Sequence, residues 1–176
     1  MKPSPLQLNY VAYPKILVQA IPLTDDDTEQ EVDVSVALDV DVRYEDNGDH
    51  TAILSLKNSK EVGVAFDFEI QVFAKFSIDN DLALAAYKER FPVLAAVDVA
   101  RILFSGAREL LATVSARSPH GVLSIPSMIL QPSDVNITFE SPPEALVPAL
   151  FGVPFESLRL TKRELTSGAS NGDEEE

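Results

Sequence analysis

From Val32 to Val42 every second residue is a sizeable aliphatic: Val32, Val34, Val36, Leu38, Val40 and Val42, with Asp33, Ser35, Ala37, Asp39 and Asp41 between them. A period of two marks a β-strand, because successive side chains point to opposite faces of a sheet. One face of this strand is aliphatic and the other largely acidic. The preceding stretch, LQLNYVAYPKILVQAIP (6–22), is rich in β-branched and aromatic residues. Pro14 within it predicts a bulge or an edge position. Asn47-Gly48 is a strong turn signal, and residues 51–58, TAILSLKN, follow as a hairpin partner. A fourth strand spans 62–78. It places Val64, Phe66, Phe68, Ile70, Val72 and Phe76 on one side and Asp67, Glu69, Gln71 and Lys75 on the other.

Four consecutive strands joined by polar connections such as TDDDTEQ (24–30), with no helix between them, predict an antiparallel sheet with one solvated face. The acidic side of the second strand is then the wet side. Residues 78–91 predict a short helix. Residues 93–118 predict the one long helix, with Pro92 at its first turn and Ser118-Pro119-His120-Gly121 ending it. After residue 121 the chain is crowded with prolines. Extended segments and loops are expected there, with a short helix around EALVPALF (144–151). The fold class is therefore α+β: a four-stranded antiparallel sheet packed with one long helix. A single domain is expected over 1–165, followed by a disordered acidic tail over 166–176.

The long helix carries more apolar surface than one contact needs. Val97, Ala100, Phe104, Ala107, Leu111 and Val114 follow a three-four spacing, and Ala96, Val99, Leu103, Gly106, Leu110 and Thr113 form a second row beside it. The polar stripe is narrow: Asp98, Arg101, Ser105, Arg108, Glu109 and Ser115. Burying the six aliphatics of the second strand is worth up to roughly 10 kcal/mol, so the sheet too has more to bury than one helix can cover. Self-association through the row from Val97 to Val114 is expected, with Ala100, Gly106 and Ala107 small enough for close helix contact.

Charge and chemistry narrow the function. A formal net charge of −14 disfavours nucleic acid as a partner. The chain has no cysteine, which removes disulfides, thiolate metal sites and cysteine nucleophiles. The N-terminus lacks a signal peptide's apolar core, and the greasiest run is broken by Asp98 and Arg101, so a cytoplasmic protein without membrane insertion is expected. His50 and His120 are isolated and expected at the surface. TDDDTEQ lacks the glycine and terminal glutamate of a calcium loop, and no nucleotide-binding loop or nucleophile elbow is present. No catalysis, cofactor or metal is expected.

Residues 102–126, ILFSGARELLATVSARSPHGVLSIP, resemble the long-helix pattern of the SecB-type protein-export chaperones. An Ile-Leu-Phe start (Ile102 to Phe104), an Ala-Arg-Glu centre (Ala107 to Glu109) and a Ser-Arg end (Ser115 to Arg117) precede an extended, proline-containing segment. YPKILVQAIP and FEIQVFAKFSI are similar to the family's first and fourth strands. The resemblance covers roughly residues 6–126. It implies a dimer of dimers, with helices packed between sheets, that holds unfolded or precursor polypeptides without ATP and passes them to the translocase motor. Tyr10, Tyr13, Phe66, Phe68 and Phe104 become the expected liners of a client groove. The family docks its motor through acidic residues on the sheet's outer surface. Two of those positions fall on the uncharged Ile16 and Ala20, and one on Glu69, with Asp67 beside it, so client holding is implied more directly than handover. The alternative is a dedicated interaction protein guarding one partner, such as an antitoxin-type client.

Overall fold

The computed structural model describes residues 4–21, 36–58, 66–156 and 158. The strand residues Val32, Val34 and Val64, the TDDDTEQ connection and the acidic tail lie outside them. The elements in chain order are β1 (Leu6–Ala20), β2 (Val36–Tyr44), β3 (His50–Asn58), β4 (Phe66–Ile78), α1 (Asn80–Tyr87), α2 (Val93–Ser115), β5 (Asn136–Phe139) and α3 (Pro143–Phe151). The fold is α+β.

The four predicted strands pair antiparallel in the order β1-β4-β3-β2, with Asn47 and Gly48 in the β2–β3 turn and Gly48 at φ 82°. The sheet has one strand more than the pattern predicts. β5 adds to the free edge of β2 in parallel, Asp41 opposite Asn136 and Tyr44 opposite Phe139. Four residues are too few to show a period, and their partner lies far back in the chain, so no local signal marks them. Pro14, expected at a bulge or an edge, is at both: β1 is the outer strand, and its register shifts between Ala12 and Lys15.

Alternation is strict in the interior of the sheet. Phe66, Phe68, Ile70, Val72, Ala74 and Phe76 of β4 are buried, as are Ala52, Leu54 and Leu56 of β3 and Val40, Val42 and Tyr44 of β2. This inner face is covered by α2, whose Ala96, Val97, Ala100, Leu103, Phe104, Ala107 and Leu111 are buried in the same core. At its end β3 also turns Asn58 inward. Its side-chain amide donates to the Phe66 carbonyl (3.1 Å) and its oxygen accepts the Phe68 N–H (3.3 Å), fixing where β4 begins to pair.

α1 starts at Asp79, whose carboxylate accepts the Leu82 N–H at 3.1 Å, an N-cap of the usual kind. α3 ends at Gly152 in the left-handed conformation, φ 67°, where a residue without Cβ is favoured. Phe151 of α3 packs edge-on against Tyr44 and Phe91, both rings 5.0 Å away, and closes one end of the core.

His50 corrects the expectation of a surface histidine. It follows a turn, but it opens β3 in register with Phe76, on the inward side, and is 2% exposed. Its ring lies among Tyr44, Phe76 and Phe151 (4.9, 5.3 and 5.8 Å). Nδ1 accepts the Glu45 N–H at 3.2 Å, which requires an unprotonated nitrogen there, and burial pushes the imidazole down to about 4 despite the nearby Asp49 carboxylate. His120 is half-buried rather than exposed. Its Nε2 is 2.8 Å from the Ile21 carbonyl, and its ring meets Phe66 edge-on.

Candidate functional site

Among the described residues β1 has a neighbour on one side only, and both of its faces carry exposed apolar side chains. Cross-strand pairing fixes which face each residue occupies, because directly opposed residues share a face. Val11 lies opposite Ala74 and Ile16 opposite Ile70, so both stand on the helix side of the sheet, yet they are 40% and 48% exposed. Tyr13, in the register shift between them, reaches α2: its hydroxyl oxygen is 3.3 Å from the position a Cβ on Gly106 would take. The i, i+4 row of α2 centred on Gly106 consists of Ile102, Gly106, Leu110 and Val114, of which Ile102 and Val114 are well exposed. Val11, Tyr13 and Ile16 of β1 and Ile102 and Val114 of α2 are thus apolar side chains left accessible on the helix side of the sheet and on the long helix.

The predicted site residues separate accordingly. Tyr13 belongs to this surface. Tyr10 lies on the opposite, outer face, paired with Lys75 and edge-on to Phe73 at 6.2 Å. Phe66, Phe68 and Phe104 are inside the core of their own chain. Val97, Ala100, Phe104, Ala107 and Leu111, the row expected between copies, are likewise buried against the chain's own sheet, and of that row only Val114 reaches solvent. Which row faces the sheet is set by how the helix lies on it, and periodicity alone gives two equal rows.

Asp67 and Glu69 stand on the outer face, opposite Gln19 and Leu17. Ile16 and Ala20 do not: they pair with Ile70 and Phe66 on the helix side, so neither occupies the outer surface on which the family's docking carboxylates stand. Beyond its register shift the β1 residues on that surface are Lys15, Leu17 and Gln19, and Lys15 forms an ion pair with Glu69. Nor is the face uniformly acidic. Asp39 and Asp41 of β2 sit among Arg43, Lys57 and Lys75 from the same and neighbouring strands, around an apolar line of Ala12, Phe73 and Ile53.

The polar stripe of α2 has a structural task. Asp98 accepts from the Tyr87 hydroxyl (2.9 Å) and from Arg101 (2.9 Å), joining α1 to α2, and burial together with the Asp98 carboxylate raises the Tyr87 hydroxyl above its ordinary value. Arg101, Arg108 and Ser115 hold the chain that returns along the helix after residue 121. Arg108 donates through Nε to the Ile125 carbonyl (2.8 Å) and through Nη1 to Ser127 (3.2 Å), while its guanidinium lies 5.7 Å above the Phe104 ring. Among the described residues no group of three or more His, Asp or Glu side chains is placed to hold a metal ion, and no helix is long and apolar enough to cross a membrane.

Among solved structures, a SecB-like chaperone from Mycobacterium tuberculosis, Rv1957 in complex with a ChAD peptide from the Rv1956 HigA1 antitoxin, superposes on this chain with a TM-score of 0.51 over 72% of this chain and 92% of the other, at 12% sequence identity. The fold is SecB-like. A protein of unknown function from Streptococcus agalactiae is more distant, with a TM-score of 0.38 at 9% identity over 69% of this chain and 97% of the other. No protein-family model matches the chain, and no curated protein is similar to it in sequence. The likeness is therefore one of fold, at 12% sequence identity.

Proposed function

We propose that the protein is an ATP-independent holdase that binds unfolded or precursor polypeptides by hydrophobic contact and carries out no catalysis. The observation that carries this reading is the exposure of Val11, Tyr13 and Ile16 on β1, where Tyr13 reaches Gly106 of α2, with Ile102 exposed one helical turn away. A soluble domain with the means to bury these side chains leaves them open when something else covers them. Tyr and large aliphatics on a fixed sheet and helix suit unfolded chains, which offer the same residue types in no set order. The SecB-like fold supports the reading, since its solved neighbour is a chaperone bound to a peptide.

Self-association belongs to the same proposal. Among the described residues β1 is an outer strand whose second edge pairs with no other strand, and pairing of two such edges is a common way to cover them. A dimer of dimers joined through β1 and Val114 would leave the Tyr13 surface for clients. Delivery to an export motor in the cytoplasm would use Asp67 and Glu69, since the other docking positions of the family pattern fall on the uncharged Ile16 and Ala20, and Glu69 pairs with Lys15. The second reading, a chaperone dedicated to one partner, draws on the solved neighbour's antitoxin peptide. Aggregation of two unrelated denatured proteins, followed with and without this protein and without ATP, separates the two: a general holdase suppresses both, a dedicated one neither or one.

A further inference from the structure

Between the turn at residues 118–121 and the turn Pro132–Asp134 the chain runs beside α2 without helix or strand, held by helix side chains. Ser115 Oγ accepts the Leu123 N–H at 2.8 Å, Arg108 Nε donates to the Ile125 carbonyl at 2.8 Å, and Arg101 Nη2 donates to the Leu130 carbonyl at 3.0 Å. The three helix residues are spaced seven apart and so stand along one line of the helix. Each takes the segment by its main chain. Leu123 and Ile125, two residues apart, put their side chains into the core, while Ser124 between them points to solvent.

This is how a site binds extended polypeptide without reading its sequence: fixed polar groups capture the backbone, and alternate apolar side chains enter pockets. We propose that this channel on α2 is a peptide site occupied in cis. An extended client segment with two large aliphatic residues at i and i+2 takes the place of residues 122–130 in it. The inference rests on the reading of the protein as a polypeptide-binding chaperone.

The cis occupant fits its own site incompletely. Ile129 is 85% exposed and Val122 and Met128 are exposed with it, so the segment holds large apolar side chains in water. Pro126 supplies no N–H. An open cleft of about 220 Å³ lies beside the Arg108–Ile125 hydrogen bond, lined by Ser105, Arg108, Glu109 and Ala112 of the helix and by Ser124 and Ile125 of the segment. Fixed turns bound the segment, with Gly121 at φ 79° on one side and the reciprocal Gln131–Asp134 hydrogen bonds on the other, so it can leave as a unit.

The test uses the full chain and a labelled peptide of sequence GVLSIPSMILQ, residues 121–131. Leu123→Ser with Ile125→Ser weakens the cis occupant, and the double variant is expected to bind the peptide at least tenfold more tightly than wild type. A reduced, carboxymethylated unfolded protein is expected to compete it off. Because the double variant can fail to fold, hydrogen exchange on the wild type decides independently: saturating unfolded protein should speed exchange at residues 122–130. Unchanged exchange there, in a wild type that still suppresses aggregation, overturns the peptide site and leaves the chaperone reading intact. Failure to suppress aggregation removes the chaperone reading, and the peptide site with it.

Discussion

The Tyr13 hydroxyl stands 3.3 Å from where a Cβ on Gly106 would be, so the absence of a side chain at one position of α2 determines where an aromatic of β1 can lie. Glycine in a helix interior costs about 0.5–1 kcal/mol relative to alanine. The phenol of Tyr13, 38% exposed, can yield by the few tenths of an ångström an added methyl requires. Gly106→Ala is therefore expected to raise the unfolding temperature by roughly 1–4 °C. Gly106→Leu, which takes the space of the ring itself, should displace Tyr13 and weaken client binding several-fold at unchanged helix content. Calorimetry and circular dichroism of the two variants check this.

His50 ties stability to pH. Its imidazole titrates near 4 when folded and near 6.5 when unfolded, so below about 6.5 the unfolded chain takes up the proton first. The stabilisation is complete above pH 6.5 and is lost as pH falls towards 4, a change of about 3 kcal/mol in all. His50→Phe leaves the Glu45 N–H without its acceptor and is expected to cost about 1–2 kcal/mol at pH 7. Its stability should fall less steeply than that of wild type between pH 6.5 and 4. Urea unfolding at several pH values measures both slopes, and parallel curves would contradict the assignment.

Arg108 serves by its fork. It binds the Ile125 carbonyl and Ser127 from two nitrogens while stacking on Phe104. Arg108→Ala is expected to lose about 1–3 kcal/mol. Arg108→Lys should recover less than half of that, since an ammonium cannot hold both partners in one plane. Denaturant midpoints of the three proteins provide the comparison, with hydrogen exchange at residues 123–127 locating the loss.

Much of the fold was legible because period-two and three-four spacing persist over long elements. Phe66 to Phe76 announce their buried face residue by residue, whereas the row from Val97 to Leu111 showed as apolar but not as the row that packs on the chain's own sheet. β5 was not legible, since Ile137 and Phe139 have a partner only in β2, far back in the chain. The site was legible in part. Tyr13 stands out as an aromatic next to a proline on an edge strand, and period two by itself puts Tyr10, three residues earlier, on the other face. The register shifts on both sides of Val11 and Ala12 break the parity that counting along the strand assumes. The same break moves Ile16 to the helix side. His50 was misplaced because a turn residue is ordinarily wet, and here the turn delivers it directly beneath Phe151.

The central claim is that Tyr13 and Ile16 are surface for a client and not core. Each is more than a third exposed, so Tyr13→Asp with Ile16→Asp should change stability by no more than about 0.5 kcal/mol per site. Phe68→Ala, in contrast, removes a fully buried ring and should cost about 3–5 kcal/mol. The decisive measurement is light scattering of a denatured protein diluted into buffer with wild type or the Tyr13→Asp/Ile16→Asp variant, no ATP present. The account predicts near-stoichiometric suppression by wild type and at least a tenfold higher requirement for the equally stable variant. Equal suppression by both would contradict it.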